Sequence, residues 1–147
     1  MFSHILIPTD GTARSQRSAE AGIAFAKSLG ARVTAFFAAP PATPLVYRDL
    51  LPVEYMTPER HEELIRRTAA RYLGAVEKAA RKAGVACATV TVTSDVPAEA
   101  ILEAARKRRC DLVFISSHGR KGIARAILGS QTQKVLAEAK IPVLVHR

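Results

Sequence analysis

Two short segments combine serine hydroxyl groups with glycine beside the start of a predicted helix. Ser116-Ser117-His118-Gly119 directly follows the apolar run Asp111–Ile115, and Gly129-Ser130 comes after nine further residues. An apolar run of this length is typical of a strand buried on both faces of a parallel sheet. Glycine lets a ligand approach the main chain closely, and the unpaired N–H groups at a helix start favour an anion. The two segments therefore predict a phosphate site built from backbone.

The segment after Gly129 predicts how that helix begins. Ser130-Gln-Thr-Gln has the pattern of a capping box, with Ser130 as the cap and Gln133 three positions later. The same loop adds positive charge on Arg120, Lys121 and Arg125. Taken alone, the segment also fits a simpler interpretation, in which the glycines only turn the chain and Ser130 only caps a helix.

An acidic residue follows the first predicted strand. Phe2–Ile7 predicts a buried strand, Pro8-Thr9-Asp10-Gly11 follows it, and a helix then extends to Leu29. At the carboxyl end of a parallel strand, Asp10 can hold a ribose hydroxyl or a base edge. Its carboxylate can equally form a local turn by accepting hydrogen bonds from nearby N–H groups. Both roles stay open, and the pairing of Asp10 with the late glycine loop is the stronger signal.

These segments together resemble the universal stress protein family, and the resemblance covers essentially the whole chain. In the nucleotide-binding branch of that family, the late motif is Gly, two residues, Gly, nine residues, Gly, then Ser or Thr, and it holds ATP phosphates. Gly119, Gly129 and Ser130 match this motif, whereas Ser116 stands in place of the first glycine. The other similar segments are Ile5-Leu-Ile-Pro-Thr-Asp-Gly-Thr, Asp111-Leu-Val-Phe-Ile-Ser-Ser-His-Gly-Arg and Ile141-Pro-Val-Leu-Val.

The resemblance implies a ligand, a set of contacts and an assembly. The ligand is ATP, with or without Mg²⁺, and Asp10 faces its ribose and adenine. The implied lining of the adenine pocket is Pro8, Thr9 and Ala38. The implied phosphate cradle is Ser116, Gly119, Arg120, Gly129, Ser130, Gln131 and Thr132. Family members form homodimers through the last strand, here Ile141–His146, whose apolar edge needs a partner.

Ser116 is the residue at which the chain departs from the motif. A hydroxymethyl group replaces a hydrogen at a turn that approaches the ligand, which predicts crowding or a less favoured backbone angle. The hydroxyl can also donate a hydrogen bond that offsets part of this cost. We expect crowding to prevail, so that Ser116→Gly tightens ATP binding on the order of tenfold.

Predicted helices and strands alternate along the chain. They are strand 2–8, helix 12–29, strand 32–38, helix 58–83, strand 86–93, helix 97–108, strand 111–116, helix 130–139 and strand 141–146. This alternation predicts one doubly wound α/β domain over residues 1–147, with a five-stranded parallel sheet and helices on both faces. The resemblance implies strand order 3-2-1-4-5, which brings Asp10 and the 116–119 loop to one crevice. The proline-rich segment 39–57 predicts a long loop with a short helical turn near Val46–Leu51.

Composition limits the classes of partner. Hydrophobic residues make up 48% and charged residues 24%, which is typical of a globular protein, and no apolar stretch is long enough to cross a membrane. A net charge of +9 suggests nucleic acid, but the basic residues of helix 58–83 lie opposite its apolar stripe, where a solvated face explains them. Without Trp, the chain offers no evident platform for stacking bases. Nucleic acid is therefore not the favoured partner.

The chain opens without a signal-peptide pattern, so we expect a cytoplasmic location with both cysteines reduced.

Three classes of function remain open. The favoured class is a regulatory protein of the stress response, in which bound ATP stabilises a homodimer or alters a surface read by an unidentified protein partner. The second is a slow ATP-hydrolysing enzyme, although the sequence has no P-loop and no evident base, and His118 is expected to serve the loop rather than catalysis. The third is an ATP-independent or RNA-associated protein whose nucleotide site has lapsed at Ser116.

Overall fold

Strands and helices alternate along the part of the chain that the computed structural model describes, residues 1–42, 57–118 and 128–147. The strands are β1 (His4–Pro8), β2 (Arg32–Ala39), β3 (Cys87–Thr93), β4 (Leu112–Ser116) and β5 (Val143–His146). The helices are α1 (Ala13–Leu29), α2 (Pro58–Ala83), α3 (Pro97–Lys107) and α4 (Ser130–Glu138). Every predicted element is present, and the bounds differ from the prediction by at most two residues. The turn expected near Val46–Leu51 lies outside the described residues.

The five strands form one parallel sheet in the order β3-β2-β1-β4-β5, which confirms the implied order 3-2-1-4-5. β1 lies at the centre, where His4 pairs with Arg32 of β2 and Ile5 pairs with Leu112 of β4. The direction of strand addition reverses between β1 and β4. Because loops leave these two strands toward opposite faces, their carboxyl ends border a crevice.

The two long helices begin and end at residues whose chemistry suits those positions. Thr12 and Thr57 precede α1 and α2, and their hydroxyls accept hydrogen bonds from the amides of Ser15 and Arg60. Gly30 and Gly84 end the helices at φ of 65° and 75°, which glycine adopts without a steric penalty.

Apolar side chains from alternate positions of the strands fill two core clusters, one on each face of the sheet. Ile5 and Ile7 belong to the cluster packed against α1 and α2. Leu6 points the other way and packs with residues of α3 and with Val135 of α4. Each large aliphatic side chain buried in this way contributes about 1.5–3 kcal/mol to folding. None of the helices within the described ranges combines the length and apolarity that a bilayer crossing needs.

Candidate functional site

The turn after β1 is held by a dense set of hydrogen bonds. The amide of Thr9 donates to the Phe36 carbonyl at 2.8 Å, which keeps Thr9 beside β2. Asp10 Oδ1 accepts from the amide of Thr12 at 3.0 Å and from its hydroxyl at 2.7 Å. Ser15 reaches back from α1, where its hydroxyl contacts Thr9 Oγ1 and accepts from the Asp10 amide. The turn-forming role left open for Asp10 is therefore confirmed, while its role toward a ligand stays a prediction.

Gly11 is the one residue of this turn that must be glycine. Its φ is +79°, and a Cβ built on it would lie 2.2 Å from the ring of Tyr72. Tyr72 of α2 is itself fixed by an edge-on contact with Phe37, with ring centroids 5.3 Å apart. The ring therefore covers the turn at close range and sets the position of Gly11.

The end of β4 is buried and polar. Ser116 and His118 are 7% and 8% exposed, and the Ser116 hydroxyl donates to the His118 carbonyl at 3.0 Å. His118 Nδ1 lies 3.1 Å from the Ser117 hydroxyl, in agreement with a role in holding the loop. Among the described non-glycine residues, only Arg109 has a positive φ, so the alternative of a less favoured backbone angle at Ser116 is wrong. Ser116 lies in the strand, where extended backbone accommodates a side chain.

Helix α4 begins directly beside this strand end. The cap is Gly129 rather than Ser130, and no side chain of the described residues caps the first turn, so the predicted capping box is wrong. Gln133 instead donates from Nε2 to the Leu128 carbonyl at 2.7 Å. The physical reason is that the Gly129 amide donates to the Ser117 carbonyl at 2.8 Å, which fixes the entry of the chain one residue earlier. Ser130 thus becomes the first residue of the helix, and its side chain is exposed.

Two predicted members of the phosphate cradle use their side chains within the protein. Thr132 is 3% exposed, and its hydroxyl donates to the Ser116 carbonyl at 2.9 Å. Gln131 accepts through Oε1 from the amide of Ala98 at the start of α3, at 2.9 Å. Their amides, with that of Ser130, lie in the first turn, where no carbonyl four residues earlier in the helix exists to accept them. Because their side-chain polar groups are used within the protein, what these residues have left for a ligand is backbone.

The sheet register brings four of the predicted site residues, Thr9, Asp10, Ala38 and Ser116, to nearly one level. Continuing the pairing of Ile5 with Leu112 along β1 and β4 places Thr9 beside Ser116. Continuing the pairing of Pro8 with Phe36 along β1 and β2 places Asp10 beside Ala38, which is partly buried. Gly119 and Arg120 lie outside the described residues, so their expected contacts stay predictions.

Three residues hold the site together in roles that were not predicted, although Ser117 lies in the predicted serine-glycine segment. Ser15 and Ser117 are hydroxyl residues next to predicted turns, and a hydroxyl three residues after the Thr12 cap was the available signal for Ser15. Tyr72 belongs to the apolar stripe of α2, and nothing in that stripe distinguishes a residue that covers a turn from one that fills the core. Only the packing of α2 on α1 reveals its position.

Comparison with known proteins assigns the chain to a family. The model of the universal stress protein family matches residues 1–147. A universal stress protein of Methanocaldococcus jannaschii is 34% identical over 99% of this chain and 82% of its own length. A universal stress protein of Thermus aquaticus is 33% identical over the full length of both chains.

Solved structures of lower identity share the fold. Universal stress protein UspA from Lactobacillus plantarum superposes with a TM-score of 0.77 at 20% identity, over 99% of this chain and 98% of that one. A universal stress protein from Archaeoglobus fulgidus was solved with dAMP (TM-score 0.64, 15% identity, 100% and 98% of the two chains), and one from Arabidopsis thaliana with AMP (0.63, 14%, 97% and 90%). Another was solved with cAMP (0.70, 20%, 99% and 97%). With its sheet order, its full-length family match and relatives above 30% identity, the chain belongs to the universal stress protein family.

Proposed function

We propose that the chain is a cytoplasmic, homodimeric regulatory protein that binds an adenine nucleotide, with ATP as its ligand, in the crevice between β1 and β4. Bound ATP stabilises the dimer or changes a surface that another protein reads. The nucleotide lies with its ribose and base toward Asp10 and Ala38, and with its phosphates toward the first turn of α4. Mg²⁺ accompanies the phosphates as their counterion.

The start of α4 is the observation that carries the proposal. The Gly129 amide is bonded to Ser117 and the Thr132 hydroxyl to Ser116, so the helix start is tied to the end of β4. Three amides of the first turn and the positive end of the helix dipole then border the crevice, where they favour a phosphate.

The conformation of Gly129 supports the same conclusion. Its φ of −60° and ψ of 152° are open to any residue, so the backbone does not require glycine here. Glycine nevertheless adds no side chain at the residue that precedes the first-turn amides. A binding role explains that choice, because a phosphate needs close approach to backbone N–H groups.

The nucleotide-bound relatives support the ligand class. Proteins of the same fold have been solved with AMP, dAMP and cAMP, which share an adenine, a sugar and a phosphate. ATP is the specific ligand that we propose for this chain, because the first turn of α4 offers several amides to more than one phosphate group.

The direct test is to denature freshly purified protein and identify the small molecules released. We expect adenine nucleotide at close to one per chain. Calorimetric titration of nucleotide-free protein with ATP and Mg²⁺ then measures affinity. Steady phosphate release from ATP above that of the Gly129→Val variant would indicate an enzyme rather than a binding protein.

Gly129→Val is the variant that tests the location. Its backbone angles suit valine, so the fold is expected to persist while the side chain blocks the phosphate position and ATP binding falls at least tenfold. Gly74→Val is the matched control, since a Cβ at Gly74 meets no atom within 4 Å. Equal ATP affinity of the two variants would place the nucleotide elsewhere.

A further inference from the structure

A second cavity, of about 450 Å³, lies at the amino ends of the strands, where β1, β2 and β3 begin and α3 ends. The crevice lies at the opposite, carboxyl ends of the strands. Its basic lining comes from two distant parts of the sequence. Arg32 is the first residue of β2, and Lys107, Arg108 and Arg109 follow one another at the end of α3. β1 separates this cavity from the crevice by its length from His4 to Pro8, roughly 13 Å at 3.3 Å per residue.

Most of this positive charge is not compensated by protein carboxylates. The ten lining residues include no Asp or Glu. Lys107 Nζ lies 3.5 Å from Glu103 Oε1, but the same carboxylate also holds Arg106 at 2.7 Å. No ion pair joins Arg32, Arg108 or Arg109 to another residue in the described ranges.

Asp111, which bonds the amide of the lining residue His4, uses its carboxylate oxygens for backbone N–H groups. Asp111 Oδ1 and Oδ2 accept from the amides of His4 and Ser3 at 3.0 and 2.9 Å. The pKa of His4 reflects its burial and the charges around it. Burial lowers the pKa of His4, Arg32 lowers it further, and Asp111 offsets only part of this. The wall formed by His4 is therefore neutral at pH 7, and the arginines supply the charge.

Helix capping accounts for some of these cations but not for all of them. Basic residues in a last turn offset the negative end of the helix dipole, which explains Arg106 and Lys107. Arg32 belongs to a strand, so the helix dipole does not explain its presence.

Arg109 follows α3 in the position that glycine occupies after α1 and α2. Its φ is +56°, its amide donates to the Arg106 carbonyl, and the next amide donates five residues back to Ala105. Gly30 after α1 and Gly84 after α2 make the same two hydrogen bonds at φ of 65° and 75°. A residue with a side chain is disfavoured in this conformation. Arg109 therefore adds positive charge to the cavity at a cost in backbone conformational energy.

We propose that this cavity binds a small phosphorylated molecule through a diphosphate group held by Arg32, Arg108 and Arg109. Guanidinium groups match phosphate oxygens in geometry, and three of them match the charge of a diphosphate. The volume lies in the range of small-molecule sites and leaves space for an organic group beyond the phosphates. This site is separate from the proposed nucleotide site and does not depend on it.

The test uses pyrophosphate as the probe, added to the full ¹⁵N-labelled chain at physiological salt. The titration is run on wild-type protein and on Gly129→Val, so that a response at the start of α4 is distinguished from one at this cavity. We expect saturable amide shifts at Arg32, Ala86–Ala88 and Arg108–Arg109, weakened at least fivefold by Arg32→Gln. Shifts confined to the start of α4, or shifts that never saturate, would overturn the proposal.

Two further variants separate binding from structure. Arg109→Gly removes the charge and supplies the residue that the backbone favours, so we expect weaker pyrophosphate binding together with a higher melting temperature. Arg17→Gln removes one exposed charge from α1 and is expected to change affinity less than twofold. If Arg17→Gln and Arg32→Gln weaken pyrophosphate binding equally, the binding depends only on net charge, and the proposed site is refuted. A hexanucleotide that shifts the same amides at lower concentration than pyrophosphate would refute a small-molecule ligand.

Discussion

Asp10 holds its own turn through Oδ1 and is assigned a ribose contact in the proposed function. Asp10→Asn separates these two tasks. The amide oxygen can still accept from Thr12, so we expect the free energy of unfolding to change by less than about 0.5 kcal/mol. Loss of the negative charge weakens a hydrogen bond to the ribose, so ATP affinity is expected to fall about tenfold, or 1.4 kcal/mol. Urea denaturation and calorimetry measure the two effects.

Asp10→Ala serves as the comparison for this prediction. It removes the acceptor as well as the charge, and it should lower the free energy of unfolding by about 1 kcal/mol in addition to weakening ATP binding. ATP binding by Asp10→Asn at wild-type strength would show that the carboxylate does not contact the ligand.

Ser116 now has a defined bond, and this changes the expectation for its replacement. Because the hydroxyl donates to the His118 carbonyl, the side chain is taken up by the protein, and the premise that it crowds a ligand is weakened. We expect Ser116→Gly to alter ATP affinity by less than tenfold and to lower the free energy of unfolding by about 1–2 kcal/mol. Ser116→Ala removes the same bond without the flexibility of glycine, so the difference between the two isolates the backbone contribution. A gain in stability for either variant would contradict the structural role.

At the scale of elements, the contact between α2 and the turn after β1 can be measured through Gly11. Gly11→Ala combines a disfavoured φ with a Cβ that overlaps the Tyr72 ring, so we expect a loss of about 2–3 kcal/mol in the free energy of unfolding. Gly84→Ala has nearly the same φ, +75°, in open space, and should lose only about 1 kcal/mol. Chemical denaturation of both variants gives the steric part by difference. Equal losses would show that Tyr72 moves aside freely.

The link between β1 and the start of β4 predicts a dependence of stability on pH. Burial alone would raise the pKa of Asp111, but hydrogen bonds from Ser3 and His4 outweigh it and lower the pKa below the ordinary 3.8. Below that value the unfolded chain takes up the proton first, so the stabilisation present at neutral pH is lost as pH falls through the folded pKa.

His4, at the start of β1, is expected to cause a loss of stability at a higher pH than Asp111 does. Its pKa is lowered from 6.5 by burial first and by Arg32 second, so the unfolded chain binds the proton more readily once pH drops below 6.5. Denaturation across the acid range should therefore show two declines. His4→Gln is expected to flatten the first and Asp111→Asn the second. A variant that retains the full decline in its own window would assign that decline to another group.

For the whole molecule, β5 is the candidate dimer surface because it is an edge strand paired on one side with β4. We expect wild-type protein to sediment as a dimer and Val143→Lys with Val145→Lys to sediment as a monomer, since like charges would meet across the edge. Both valines also pack on the second core cluster, so circular dichroism must show that the variant is folded.

The other edge strand supplies the control for the dimer. Thr91 and Thr93 of β3 are exposed, and Thr91→Lys with Thr93→Lys adds the same charge to the opposite edge of the sheet. This variant should stay dimeric. A monomer from the β3 variant, with a dimer from the β5 variant, would move the interface to β3.

Much of the fold was predictable because its signals are local. Thr12 and Thr57, with Gly30 and Gly84, mark helix ends by their own chemistry, and apolar runs such as Leu112–Ile115 mark buried strands. The strand order came from resemblance to a family and was confirmed. The cap of α4 was predicted one residue late because glycine and serine are both accepted at that position, and only the bond from Gly129 to Ser117 decides between them.

Long-range placement was not predictable from such signals. Arg32 and Arg109 line one cavity although 77 positions separate them in the sequence, and neither lies in a motif. Tyr72 covers Gly11 only because α1 and α2 pack side by side. Register and helix packing determine these contacts, and a single sequence carries little information about either.

The central place of β1 also has a consequence for synthesis of the protein. β1 pairs with β2 through Arg32–Phe36, which leaves the ribosome early, and with β4 through Leu112 and Val113, which leave it late. At a typical elongation rate of 5–20 residues per second, the interval between the end of β2 and the end of β4 is roughly 4–15 s. During that time the inner edge of β1 has no partner strand, and the bonds from Ser3 and His4 to Asp111 cannot form. The nascent chain must therefore keep an apolar strand from pairing with other chains until β4 has been made.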